Sequence, residues 1–428
     1  MKQLLKAICV LGLSWSTYTA AAVAQGYDIP SGKKIYIPKD LKNNDFTKKD
    51  SEWSYYHMAT TENVVLFWQK GFGDDLSKAP DLEGHKMTVD KENLLKRIES
   101  FYGFFRDSLQ FILPGSKAEQ YRMMVMLNYS LEGTAYGGAY DDEVGALWIS
   151  PNRVQDKKLN CIAHELGHSF QIQNACDGHG HGVGYGFYEM TSQWMLWQVN
   201  PEWVQDENYH WEAFRKLFHK QFLDGENIYH SPYVLEYWGW KHGRNLLARI
   251  FRETQEGEDP LQTYMRLCNL DMDQTADEMY DCYSRLITFD FPRVKNVCKP
   301  FACQLKTPVA TDNKDSFMPV KEFMPRTFGF NVIELPSGSH NIKFSGMGNK
   351  KSDAFRYGIV LVDKNKNATY LNMKKDFKGS LNYQTTPDTE SAWLVVTAYP
   401  RDKYQSPSFG PDAAKGSERV FPYSIVIK

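Results

Sequence analysis

The segment His164-Glu165-Leu166-Gly167-His168 has the form H-E-x-x-H, and that spacing is a statement about coordination geometry. On a helix, residues four apart share a face about one turn along, so His164 and His168 can aim their imidazoles at one ion. Glu165 is rotated by roughly a quarter-turn from His164, which sets it beside the ion as a base. Zinc lowers the pKa of a bound water towards neutrality, and the neighbouring carboxylate takes the proton as that water attacks a carbonyl. These five residues predict a zinc hydrolase, with the peptide bond as its leading target.

A third ligand has to come from elsewhere. The metzincin pattern would need a histidine six residues after His168, where this chain has Asn174, so that class is excluded. Glu189 follows His168 by 21 residues, beyond a glycine-rich stretch and near the start of a new helical run. It sits among Phe187, Tyr188 and Trp194, on a helix suited to burial, and a buried carboxylate needs a cation as partner. Asp177, His179 and His181 are rivals in the intervening loop, but a polar loop normally lies at the surface. The expected set is therefore His164, His168 and Glu189, with Glu165 as base. A donor for the developing oxyanion is sought among His230, Tyr233, Tyr237 and His242, with His230 favoured. Asp141-Asp142-Glu143 is the acidic cluster that a paired-carboxylate enzyme would use, and a solvated turn explains it better.

These residues need elements to hold them. The apolar positions Leu159, Ile162, Ala163, Leu166 and Phe170 predict a helix over 155–173 that carries the motif. Gly167 inside it costs roughly 1 kcal/mol against alanine, and fits another element approaching closely. Upstream, Leu94, Leu95, Ile98, Phe101, Tyr102, Phe105 and Leu109 recur at helical spacing after Asp90. Strands are expected at 34–37, 64–68, 123–127 and 145–150, and the glycines from 133 to 138 read as a turn. The strand at 145–150 is the expected sheet edge for pairing with an extended substrate. Further helices are expected at 211–223, 232–252 and 275–289, the last opening on a Thr275-x-x-Glu278 capping box.

The character changes after Phe291-Pro292. Strand-like runs at 328–335, 341–344, 357–362, 393–398 and 423–427 alternate with turn residues and predict a separate all-β sandwich. The expected fold is thus an α+β catalytic domain over 25–300, a small sheet with a mostly helical part, and a β-sandwich over 301–428. Tyr399 and Tyr404 are candidates for sugar stacking in that module, with a structural role favoured.

Residues 1–24 read as an export leader: Lys2 and Lys6, an apolar run from Leu4 to Trp15, then Ala22-Val23-Ala24 before Gln25. The expected location is periplasmic or secreted, with no membrane span. The chain has 50 basic and 52 acidic residues, a balance that gives no footprint for nucleic acid. Its 25 Tyr, 25 Phe and 11 Trp argue against disorder and suit a large core. Six cysteines follow the leader, and an even number permits disulfides without fixing any pairing.

With His164, Glu165, His168 and Glu189 assembled, the chain resembles the gluzincin metallopeptidases. A longer resemblance is to a group of exported bacterial zincin-like proteins. It rests on Tyr136-Gly137-Gly138-Ala139-Tyr140-Asp141, on Gly145 through Arg153, and on the motif followed by Ser169-Phe170-Gln171. It continues through Tyr188-Glu189-Met190-Thr191-Ser192-Gln193-Trp194 and Phe328-Gly329-Phe330-Asn331. What it implies is a zincin-like fold, a zinc cofactor and a protein substrate. The enhancin-like, mucin-directed gluzincins share the HExxH…Glu spacing, which by analogy adds glycoproteins as substrates. The competing expectation is a catalytically idle relative that binds glycan or peptide. Loss of the base would favour it, and Glu165 is present.

Overall fold

The computed structural model describes residues 26–313, 315–407 and 419–428, so the leader at 1–24 lies outside the described residues. A five-stranded sheet comes first, with β1 (Met58–Thr60), β2 (Val64–Trp68), β3 (Met123–Leu127), β4 (Ala135–Tyr140) and β5 (Val144–Ile149) in the order β1-β2-β3-β5-β4. β2, β3 and β5 run parallel, while β1 and β4 are antiparallel to their neighbours. Every residue of β2 and β3 is buried, as expected of strands covered on both faces. Alternation divides them: Leu66, Val125 and Leu147 face the helices, while Val65, Phe67 and Met124 face Phe46 and Trp53 of the N-terminal segment.

Two of the expected strands change. Residues 34–37 contribute a single bridge, Lys34 to Tyr121. The glycine-rich stretch expected as a turn is instead strand β4, which leaves β5 in the interior and makes β4 the edge. The turn lies beyond β4, at Asp141 and Asp142, both with positive φ (54° and 57°). Asp141 Oδ2 accepts from the Tyr36 hydroxyl and the Lys39 N–H, so the acidic cluster is a structural turn.

The helices on the sheet are α1 (Lys91–Asp107), capped by the Asp90 carboxylate, α2 (Asn160–Cys176) and α3 (Tyr185–Val199). There follow α4 (Trp203–Asp206), α5 (Tyr209–Leu217), α6 (Tyr233–His242), α7 (Leu246–Glu253), α8 (Pro260–Cys268), α9 (Met272–Leu286) and α10 (Lys295–Cys298). The single helix expected over 232–252 is two, parted at Gly243, whose φ of 102° suits glycine. α9 starts a turn earlier than expected: its capping box is Asp271 with Gln274, and Glu278 instead bonds His242 and Tyr264. Among the described residues the six cysteines are free thiols, with none of the pairings that an even number permitted.

The β part comprises β6 (Val309–Asn313), β7 (Ser316–Pro319), β8 (Phe330–Leu335), β9 (Ser339–Gly346), β10 (Asp353–Asp363), β11 (Ala368–Tyr370), β12 (Lys378–Gln384), β13 (Thr389–Pro400) and β14 (Tyr423–Ile427). They form two sheets, β11-β10-β13-β8 and β12-β9-β14-β7-β6, sharing a core that includes Phe344, Tyr357, Leu394 and Tyr423. The other face of the first sheet (Val360, Trp393, Val395, Tyr399) joins the core of the helical part. There the guanidinium of Arg356, fully buried, pairs with Asp273 at 2.7 Å and Asp277 at 2.5 Å on α9. Tyr399 is buried and donates to Asp273, and Tyr404 donates to Asp259, so both act as structural residues.

Candidate metal centre

α2 is held from two sides, and glycines permit both contacts. A Cβ on Gly167 would collide with Ser192 Oγ of α3, so α2 and α3 pack at close range as the glycine in the motif suggested. Ser192 Oγ also donates to the His164 carbonyl. On the other side β4 is pressed against α2, where a Cβ on Gly137 would collide with the main-chain oxygen of Glu165. The apolar stripe of α2 meets α1, with Phe170 edge-on to Tyr102 and Phe105.

This packing gathers three donor atoms. His164 Nε2 and His168 Nε2 are 3.1 Å apart, and Glu189 Oε2 of α3 lies 3.1 and 3.2 Å from them. Among the described residues, these three make the one cluster able to hold a metal ion. Four bonds of about 2.0–2.1 Å in a tetrahedron place neighbouring ligand atoms roughly 3.4 Å apart, so the set fits zinc with small adjustment. Each of the three side chains is 12% exposed, so the cluster is largely but not wholly withdrawn from solvent.

Glu165 points to β4, not into the cluster. Its Oε2 accepts from the Gly137 N–H at 2.9 Å. Burial pushes its carboxyl above the ordinary range, and the neighbouring His164 and His168 oppose the shift without cancelling it. Burial would raise Glu189 too, but the His164 and His168 rings within 3.2 Å of it outweigh burial and hold that carboxyl well below its usual range. His168 shows the reverse balance: burial lowers it, and the Glu189 carboxylate carries it above the usual value.

The rivals for third ligand lie elsewhere. Asp177 accepts from Ser116 Oγ at 2.6 Å and Lys117 N–H at 2.9 Å, and His179 and His181 are exposed. Of the four oxyanion candidates, Tyr233 is core, packed on Trp197 and Trp211. Tyr237 donates to Asp281, and His242 pairs with Glu278. His230 alone connects to the centre: its Nδ1 is 2.8 Å from His210 Nδ1, His210 Nε2 is 3.0 Å from Gln193 Nε2, and Gln193 Oε1 is 2.8 Å from His164 Nδ1. Burial drives His230 down to about 4, with His210 adding to the shift, so its ring is neutral near pH 7.

Several residues at this site carried no role in the sequence reading. Tyr229 has its ring 6.3 Å from that of His164, and Gln171 Oε1 lies 2.9 Å from His168 Nδ1. The signal for the glutamines was present as helical spacing, Gln171 three residues after His168 and Gln193 four after Glu189.

The DUF6055 family model, described as a family of unknown function, matches residues 28–428. No curated protein matches the chain. Among solved structures, the ZmpB metallopeptidase from Clostridium perfringens is 17% identical, with 82% of this chain and 68% of that one covered and a TM-score of 0.32. The M60 catalytic domain of Clostridium perfringens ZmpC, solved with the sialyl T antigen, is 13% identical over 82% and 67%, at a TM-score of 0.31. A xylan-binding CBM22-1 domain from Paenibacillus barcinonensis Xyn10C is 12% identical over 29% and 80%, at 0.17. These likenesses are too weak to carry chemistry, which rests on the chain's own residues.

Proposed function

This chain belongs to the DUF6055 family, whose function is unknown, and we propose from its own site that it is an exported zinc peptidase. The observation that carries the reading is the meeting of His164 Nε2, His168 Nε2 and Glu189 Oε2 within 3.2 Å, with Glu165 next to His164 in the chain and its carboxylate held by the Gly137 N–H. Zinc at these donors would supply a Lewis acid for a carbonyl and an acidified water.

The protein residues have distinct tasks in this reading. Glu165 takes the proton of the attacking water and passes it to the leaving amine. The Gly137 N–H restrains one of its oxygens, which leaves the other for the proton, and burial raises the carboxyl above its ordinary range. β4, in place of the β5 edge expected from sequence, pairs with an extended substrate. By the alternation of an antiparallel ladder, Ala135 and Ala139 turn their peptide groups outward as Gly137 does. His230 is the proposed donor to the oxyanion, with Tyr229 the rival nearer to His164. Glycosylated proteins are the first substrates to try, on the resemblance to mucin-directed gluzincins. The reading divides the mature chain into a zincin-like domain (25–300) and a β-sandwich (301–428), with export resting on the leader-like residues 1–24 alone.

The decisive experiment replaces Glu165 by Gln, then measures bound zinc by mass spectrometry and cleavage of a protein panel that includes mucins. The expected outcome is full zinc with cleavage reduced by about 10²–10⁴-fold. A wild-type protein that holds zinc and cleaves nothing would establish the idle binding protein instead. Absence of zinc from wild-type protein refolded or expressed with the metal would sink the peptidase reading.

A further inference from the structure

Each ligand histidine rests its second nitrogen on a glutamine: His164 Nδ1 is 2.8 Å from Gln193 Oε1, and His168 Nδ1 is 2.9 Å from Gln171 Oε1. An amide can offer either end, so these contacts alone do not place the ring protons. The far end of each amide does. Gln171 Nε2 donates to the main-chain oxygen of Tyr188 at 3.0 Å, and Gln193 Nε2 to that of Tyr229 at 3.4 Å. The second Gln193 amide hydrogen faces His210 Nε2 at 3.0 Å, closer than the Glu207 carboxylate at 3.5 Å. A carbonyl oxygen only accepts, so the NH₂ ends belong there and the amide oxygens face the imidazoles.

An oxygen at Nδ1 requires a proton on Nδ1. In the neutral rings both Nε2 atoms are then bare, and their lone pairs point at each other and at Glu189 Oε2. Three acceptors 3.1 to 3.2 Å apart repel one another unless a cation sits among them.

We propose that Gln171 and Gln193 are the positioning residues of this centre, locking both histidines as Nδ1–H tautomers so that the donor set stands ready for a divalent cation. The identity of the cation rests on the zinc reading above; the tautomers do not. Both glutamines are buried, so solvent does not compete for the imidazole protons. Their anchors also tie the ligands to one another. Tyr188 precedes Glu189 on α3, so the Gln171 link joins His168 of α2 to the turn of helix that presents the third ligand. An amide achieves this without charge, whereas a carboxylate in its place would add negative charge beside Glu189 and Glu165.

The test has two readouts on metal-free and zinc-loaded full-length protein. Long-range ¹H–¹⁵N spectra of histidine-labelled apo protein, at a pH alkaline enough to keep the rings neutral, should show two histidines with Nδ1–H. Gln171→Leu and Gln193→Leu should each remove one of these signatures, which assigns them, and Gln→Glu at either position should restore it. Zinc competition against a chelator should show affinity weakened about 10–100-fold in each Leu variant. Nε2–H tautomers in the wild-type apo protein would overturn the proposal, as would zinc affinities within twofold of wild type in both Leu variants. Should the wild type take up no zinc, the apo spectra still decide the tautomers, so the two readings fail separately.

Discussion

At the scale of single residues, spacing and tertiary anchoring divide what the sequence discloses. His164, Glu165 and His168 are legible because a helix converts a four-residue interval into a shared face, and Glu189 because a buried acid among aromatics needs a cation. Gln171 and Gln193 stayed hidden, since their role depends on carbonyls of Tyr188 and Tyr229 that only the fold brings to them. Buried histidines away from the centre have consequences of their own. His219 is buried, with its Nδ1 unpartnered and its ring against Phe323; burial drives it down to about 4, and Arg326 adds to the shift. Because the folded value is depressed below about 6.5, the unfolded chain takes up the proton first as pH falls. Its contribution is complete above about pH 6.5 and is lost as the pH falls through 4, with a ceiling of about 3 kcal/mol. Urea melts of His219→Gln should accordingly show a flatter acid limb than wild type; parallel limbs would refute the assignment.

At the scale of elements, glycines misled the reading of β4 and informed the reading of α2. The run from Gly133 to Gly138 has the composition of a turn, yet Gly137 is there because α2 presses on the strand where a side chain would sit. Gly167 gave the opposite lesson, since glycine inside a strong helical pattern pointed correctly to a close neighbour, Ser192. Gly243 went unread as punctuation, because apolar periodicity on both sides of it masked the break between α6 and α7. Gly137→Ala should force β4 and α2 apart and cost about 1–3 kcal/mol in thermal or urea melts. It should lower cleavage more than zinc content, because the helix and its ligands move together while the base loses its N–H partner. Equal loss of both would show that the strand supports the metal centre itself.

At the scale of the whole molecule, the change from helical to strand periodicity near Phe291-Pro292 is plain in the sequence. β6, β7 and β12 are not: β6 and β7 are short, and in β12 only Leu381 and Tyr383 are buried apolar residues, too few to mark a strand. The double burial of β10 and β13 shows only in the structure, and Arg356 is its clearest sign. Arg356 is the desolvated partner of its cluster, whereas the Asp273 and Asp277 side chains remain 57% and 33% exposed. Replacing both aspartates by Ala strands a buried cation and should cost about 3–5 kcal/mol, while Arg356→Met should cost far less. Chemical denaturation of the two variants checks that order, and a reversed order would place the strain on the aspartates. The shared core also couples the two parts. Val360, Trp393, Val395 and Tyr399 complete the apolar interior to which Phe170, Met190 and Trp194 of α2 and α3 belong. The helices that carry His164, His168 and Glu189 therefore share one apolar interior with strands from the far part of the sequence. The donor set thus rests on the sandwich as well as on the sheet beneath it, and loosening the sandwich should be felt at the donor atoms.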